Sequence, residues 1–343
     1  MAGVKVDMPT LHDKSVLIAD RKVQILDRRI FPLKVEYVEC GTVEDVAVAI
    51  EDMVTQSGGP YYAASAGLVL AAVDAEKLAD TQQRMACFDR AAKRLIATRP
   101  TNNMILTSVS RVMKKVPGFV DNDDLVGVTT NAVHALWEEH RATGVYLGEY
   151  AAGLIADGDT ILTHCWGEST IMEMVAAALR AEKKFQMICS ETRPYLQGSR
   201  LTAHSIGEMG VDVTVITDNM GAAAMDAGKV TRLMTAADRV TGAGHVINKV
   251  GTLQLAIAAR YFDIPFTAMV KKPDFSAMTP KDVPMEMRDP DEVLHCLGHR
   301  TATEFAKGWY PAFDITPPNL VTNIATCDGV FAPDELHRIQ SVA

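Results

Sequence analysis

The chain has 343 residues, 34 of them basic and 43 acidic, for a formal net charge of -9. Apolar residues make up 48% and charged residues 22%, which excludes a disordered chain and allows about two domains. The acidic balance excludes a protein held to nucleic acid by a broad basic face, though a few cations gathered in one pocket could still hold a small anion.

No stretch approaches the roughly 20 apolar residues of a membrane span. The start, MAGVKVDMPTLHDK, lacks an apolar run followed by a small-residue cleavage site, so a cytoplasmic protein is expected. Cys40, Cys87, Cys165, Cys189, Cys296 and Cys327 form no CxxC pair. They read as reduced thiols, most of them buried.

The first forty residues read as short strands: SVLIAD, KVQILD and KVEYVEC. From Thr42 the period becomes helical, with Val43, Val46, Ile50 and Met53 on one face and Thr42 as N-cap. The break SGGP precedes a small-residue helix, AASAGLVLAAV. Residues 74–97 and 101–115 read as further helices, divided at Arg99-Pro100. VPGFVDNDD, near residues 116–124, is the linker candidate, and a long helix follows through HALWEEHRATGVYLGEYAAGLI.

Beyond it, TILTHC, FQMICS, VDVTVIT, RLMTAA and PFTAMV are β-rich runs, most of them separated by helical stretches. That alternation implies parallel strands joined by right-handed crossovers. The expected fold is therefore α/β. A small mixed strand/helix domain spans residues 1–120, and a Rossmann-like parallel-sheet catalytic domain spans 121–343.

Ligands of an open parallel sheet sit outside the carboxyl ends of its strands. That rule selects His164, Cys165, Trp166 and Gly167, then Glu191, Thr192 and Arg193, then Asp218 and Asn219, then Asp238 and Arg239. GAGHVINKVGT adds Asn248 and Lys249 just before a helix start. A lysine there conflicts with the helix dipole unless an anion binds nearby.

ILTHC, ETRPYLQGSRLTA, ITDNM, ADRV, VINKVGT and FDITPPNLVT occur in this order. Together they resemble the methylthioribose-1-phosphate isomerase family of methionine salvage, over nearly the whole chain. The wider superfamily includes ribose-1,5-bisphosphate isomerase and the regulatory subunits of the translation-initiation exchange factor. The resemblance implies conversion of an aldose 1-phosphate to a ketose 1-phosphate, without metal or organic cofactor, by a homodimer. It implies a catalytic pair, Cys165 and Asp218. It implies phosphate and sugar contacts from Arg99, Gln197, Asn248 and Lys249.

One segment departs from the family. An Arg-Gly-Ala-Pro stretch is usual after the helix ending in DMV, and its arginine holds the substrate phosphate. Here Thr55-Gln56-Ser57-Gly58-Gly59-Pro60-Tyr61-Tyr62 stands in its place. Gly58 and Gly59 can offer backbone N–H groups to an oxyanion, but the charge-assisted contact is missing. Trp166 and Glu168 add bulk and charge after the cysteine. The C5 substituent of the substrate is therefore open between methylthio, 5-deoxy and 5-phosphate forms.

The chemistry explains the residue types. Moving a carbonyl from C1 to C2 first needs the sugar ring opened, which takes an acid for the ring oxygen. Hydrogen must then cross between C2 and C1. Asp218, kept protonated by burial, is the expected acid, and Cys165 acts at C1–C2 as thiolate base or as partner in a hydride-type shift.

Each residue also has a plainer reading. Cys165 could be a buried thiol, Asp218 a helix N-cap, and Glu191 with Arg193 a structural ion pair. Asp238 and Arg239 are read as structural, and His164 as a hydrogen-bonded neighbour. His295, Cys296 and His299 have metal-like spacing without a carboxylate cluster. The rival from another class is a non-catalytic phosphosugar- or nucleotide-binding regulatory protein, which has no need of the Cys165 and Asp218 pair.

Overall fold

The computed structural model describes residues 5–56, 58–99, 103–283 and 285–340. The chain forms two compact units, Thr10–Ala142 and the segment from Thr143 onward with the residues before Thr10.

In the first unit, α1 (Thr10–Asp13) leads into three antiparallel strands, β1 (Val16–Ala19), β2 (Lys22–Leu26) and β3 (Tyr37–Cys40). Four helices follow: α2 (Val43–Glu51), α3 (Gly59–Ala75), α4 (Thr81–Ala97) and α5 (Asn103–Met113). Thr42 caps α2 as its position suggests. The Asp45 N–H donates to Thr42 Oγ1 at 3.1 Å, and the Thr42 N–H donates back to Asp45 Oδ2 at 2.9 Å. Helix α3 is apolar all round and buried nearly throughout, as a central helix must be. Its Gly67 lets Leu95 of α4 approach; a Cβ there would meet the leucine at 2.9 Å.

Two expectations are corrected here. Residues 74–97 are not one helix: α3 ends at Ala75, and Asp80 starts α4 by accepting the Gln83 N–H at 2.8 Å. The linker candidate is no loose tether either, since Val116 and Val120 are buried in the core of this unit. The long helix α6 (Leu125–Gly153) follows, and the division between the units falls within it.

The second unit is built on a seven-stranded sheet. Its strands are β4 (Thr160–Thr163), β5 (Gln186–Ser190), β6 (Val213–Ile216), β7 (Arg232–Ala236), β10 (Phe266–Met269), β14 (Asn323–Thr326) and β15 (Gly329–Phe331). The spatial order is β15-β14-β10-β7-β4-β5-β6, parallel except for the edge pair β14–β15. Helices α7 (Ser169–Arg180), α8 (Ala203–Glu208), α9 (Gly221–Asp226) and α10 (Thr252–Tyr261) lie in the crossovers. A second, antiparallel sheet carries β8 (Arg239–Val240), β9 (Val246–Lys249) and β13 (Phe313–Thr316). A two-stranded ribbon, β11 (His295–Cys296) with β12 (His299–Arg300), precedes β13.

Leu162, Leu233, Phe266 and Ile324 from the sheet bury against Leu255, Ala256 and Ala259 of α10. Burying each large side chain of this kind contributes roughly 1.5–3 kcal/mol. The topology then locates the site. From β4 the chain runs outward through β5 and β6, then returns to β7 on the other flank of β4. The strand order therefore reverses between β4 and β7, and a crevice opens at such a reversal outside the carboxyl ends.

Candidate active site

Cys165 follows the carboxyl end of β4, and Asp238 follows that of β7. The two residues selected by the reversal are thus a thiol and a carboxyl.

Cys165 is half-buried, and its backbone has φ +68°, a region L-residues rarely adopt. Three contacts hold it there. Its N–H donates to Thr192 Oγ1 at 3.0 Å, Thr202 Oγ1 donates to its carbonyl at 2.6 Å, and Gln197 Nε2 donates to its sulfur at 3.3 Å. Burial pushes the thiol up to about 11. The Lys249 charge opposes that rise, and the Asp238 charge adds to it.

The turn after β5 supplies those contacts. Thr192 and Leu196 also have positive φ, +63° and +58°. Gly198 is obligatory, since a Cβ would lie 1.8 Å from Ser190 O. Gln197 is 8% exposed, and its Oε1 has no hydrogen-bond partner among the described residues. A buried acceptor left unpaired costs about 1–3 kcal/mol, so it marks where a ligand donor would be welcome.

Asp218, expected as the acid, has both carboxylate oxygens engaged by backbone N–H groups. Its Oδ1 accepts the Thr192 N–H at 2.8 Å, and its Oδ2 accepts the Arg193 N–H at 2.7 Å. Both oxygens therefore anchor the turn that holds Cys165. Asp238 fits the acid's requirement better. It keeps an accessible surface, yet burial in the surrounding protein raises its carboxyl, with Lys249 pulling the other way. The strand-end rule had already selected Asp238. The adjacent Arg239 reads in the sequence as its salt-bridge partner. Arg239 instead pairs with Asp274 at 3.4 Å.

His164 is buried with both ring nitrogens engaged. Nε2 lies 3.0 Å from Val250 O, so it carries the proton, and Nδ1 accepts from Ser190 Oγ at 2.5 Å. Burial holds this imidazole below its ordinary range. Among the described residues Arg193 forms no ion pair with Glu191; its guanidinium donates to His295 O at 2.7 Å and Val293 O at 3.3 Å.

Asn248 and Lys249 end β9 and are both buried. Asn248 Nδ2 donates to Thr252 Oγ1 at 2.9 Å, which fixes the start of α10. Asp314 of β13 stands opposite Asn248. Its Oδ2 accepts the Gly251 and Leu253 N–H groups at 2.7 and 3.0 Å, and burial pushes its carboxyl up to about 6. Nothing in the spacing of FDIT marked this capping role.

Gly58, Gly59 and Arg99 belong to the first unit. Gly58 precedes α3, and the Gly59 N–H is taken by Gln56 O at 2.9 Å. A Cβ at Gly59 would lie 1.9 Å from Thr55 Oγ1 and 3.0 Å from the buried Arg28 guanidinium. Arg99 donates to Ile50 O at 2.9 Å and contacts Met53, at the end of α2. Tyr61 and Tyr62 are core residues, stacked or edge-on against His140 and Trp137. Ser57 lies outside the described residues.

Among the described residues no cluster of three His, Cys, Asp or Glu side chains is placed to hold a metal ion. His295 Nδ1 faces Asp291 O at 3.0 Å, a hydrogen bond in which the ring donates. Cys40 and Cys189 are buried, and the other four free cysteines are half-buried, fewer buried than expected.

The family profile of the Initiation factor 2 subunit family matches residues 57–333. The chain belongs to that family. It is 36% identical over 321 residues to methylthioribose-1-phosphate isomerase of Thermosipho melanesiensis, covering 90% of this chain and 92% of the relative. It is 35% identical to the protein of the same name from Thermotoga maritima, over 97% and 98% of the two chains. Among solved structures, 5-methylthioribose 1-phosphate isomerase from Pyrococcus horikoshii OT3 superposes with a TM-score of 0.88 at 30% identity, covering 98% of each chain. The translation initiation factor eIF-2B subunit delta from A. fulgidus superposes at 0.86 with 31% identity, over 96% and 98%. The resemblance carried by the six ordered motifs, and the α/β fold with its parallel sheet, are thereby borne out.

Proposed function

We propose that this chain is an aldose–ketose isomerase of sugar phosphates, acting on methylthioribose 1-phosphate or a pentose 1-phosphate altered only at C5. The observation that carries the reading is the desolvated thiol of Cys165 at the sheet's switch point, with Asp238 beside it and Gln197 on its sulfur. The names of its full-length relatives support the substrate class.

In this reading Asp238 takes the role that the motif reading gives to Asp218. Protonated, it donates to the ring oxygen as the bond from that oxygen to C1 breaks. Hydrogen then moves from C2 to C1 with its electron pair. The 2-hydroxyl gives its proton to the Asp238 carboxylate, which restores the acid and leaves a C2 ketone. A thiol at about 11 is ionised in roughly one molecule in ten thousand at pH 7. That scarcity favours a neutral Cys165 beside a hydride shift over a thiolate base. Asp218 acts as a positioning residue through Thr192. Gln197, Asn248 and Lys249 surround the sugar, and the resemblance assigns Arg99 to the same set of phosphate and sugar contacts.

The test is isomerisation of methylthioribose 1-phosphate, 5-deoxyribose 1-phosphate and ribose 1,5-bisphosphate by the purified protein. Turnover of one of them, absent in Cys165→Ala, upholds the reading and ranks the C5 group. Binding without turnover on all three overturns it in favour of a regulatory phosphosugar-binding protein.

A further inference from the structure

Lys249 is a buried cation, 7% exposed, whose ammonium meets two aromatic rings. The antiparallel register places Phe313 of β13 directly opposite it. Its Nζ lies 5.2 Å from the Phe313 ring centroid and 5.7 Å from that of Tyr310. Both distances fall within the roughly 6 Å reach of a cation–π contact. Tyr310 is 1% exposed, so packing confines its ring, and its backbone carbonyl accepts the Arg288 N–H at 2.9 Å, which fixes the segment that carries it. Among the described residues Lys249 forms no ion pair.

The distinction has a chemical consequence. A desolvated ammonium needs compensation. A carboxylate would compensate by cancelling the charge, whereas an aromatic quadrupole stabilises the cation and leaves the net charge in place. Cys165, Asp238 and His164 all feel that charge. We propose that Tyr310 and Phe313 clamp the Lys249 ammonium between their faces, so that its full charge is directed at an anionic oxygen of the bound sugar phosphate. Tyr310 is then a positioning residue acting through Lys249. The identity of the anion rests on the isomerase reading; the clamp does not.

The experiment replaces Tyr310 by Phe and then by phenylalanines carrying one, two and three fluorines, which weaken the ring quadrupole at nearly constant shape. Tyr310→Phe keeps kcat/KM on methylthioribose 1-phosphate within about twofold, and the fluorinated series lowers it stepwise by about tenfold in all. The same series in a Lys249→Met background shows no trend. A flat series in the Lys249 protein, or an equal trend without the lysine, overturns the clamp. Failure of the unaltered protein to turn over the substrate overturns the isomerase reading instead. In that case the NMR ring-current displacement of the Lys249 side-chain protons decides: its loss in Tyr310→Leu upholds the clamp, and its absence from the unaltered protein overturns it.

Discussion

Gln197 holds the sulfur of Cys165 by a hydrogen bond, 3.3 Å from Nε2 to Sγ, and its own Oε1 has no partner among the described residues. One amide thus orients the thiol and presents an acceptor beside it. Gln197→Leu keeps the volume and removes both functions. The expected result is a fall in kcat/KM of about tenfold to a hundredfold with unchanged or raised thermal stability, because the orphaned acceptor is gone. Measuring kcat/KM and Tm on the same preparation checks this. A loss of stability with intact activity would assign Gln197 to the scaffold.

The two aspartates should separate cleanly. Asp238→Asn removes the proposed acid and lowers kcat at least a hundredfold while leaving Tm within a few degrees. Asp218→Asn turns an amide N–H₂ toward one of two backbone N–H groups, at a cost of about 1–3 kcal/mol. Its loss therefore shows in thermal denaturation as well as in rate. Equal behaviour of the two variants in both assays would remove the distinction.

Burial sets the reactivity of the thiol. With the Cys165 thiol pushed up to about 11, alkylation at this site should be slow at pH 7 and still rising above pH 9. Site-resolved mass spectrometry after timed iodoacetamide treatment follows it. A plateau below pH 8 would mean an activated thiolate and would revive the base role.

Asp314 links the start of α10 to pH. Its folded pKa, about 6, lies above the ordinary 3.8, so the folded state holds a proton that the unfolded state has released between those values. Its contribution to stability is therefore greatest below about pH 4 and declines as pH rises through 6. The difference is about 2–3 kcal/mol. Asp314→Asn keeps a capping acceptor and loses the titration. Denaturant unfolding should then show the variant gaining on the parent protein between pH 4.5 and pH 7. A constant difference would contradict the shift.

The parallel sheet was legible in the sequence because its β-rich runs end in polar clusters and most of them are separated by helical stretches. The strand-end rule alone put Cys165, Asp218 and Asp238 on the page, and the helix start after VINK added Lys249. What it could not rank was the two aspartates. Asp218 and Asp238 both follow strands, and only the backbone path shows that Thr192 and Arg193 turn their N–H groups onto Asp218. The segment 116–124 was opaque for a similar reason. Its Pro, Gly and Asp content reads as a linker, while burial of Val116 and Val120 depends on partners distant in the chain. Tyr310 gave no signal because its place beside Lys249 follows from the register of β13 on β9, which local sequence does not encode.

The most direct measurement is steady-state isomerisation of methylthioribose 1-phosphate by the parent protein, Cys165→Ala and Asp238→Asn. The account expects turnover by the parent and a loss of at least a hundredfold in each variant, with folded protein confirmed by circular dichroism. Turnover that survives both substitutions, or a parent protein that binds the sugar phosphate and never converts it, would contradict the assignment of this crevice as an isomerase site.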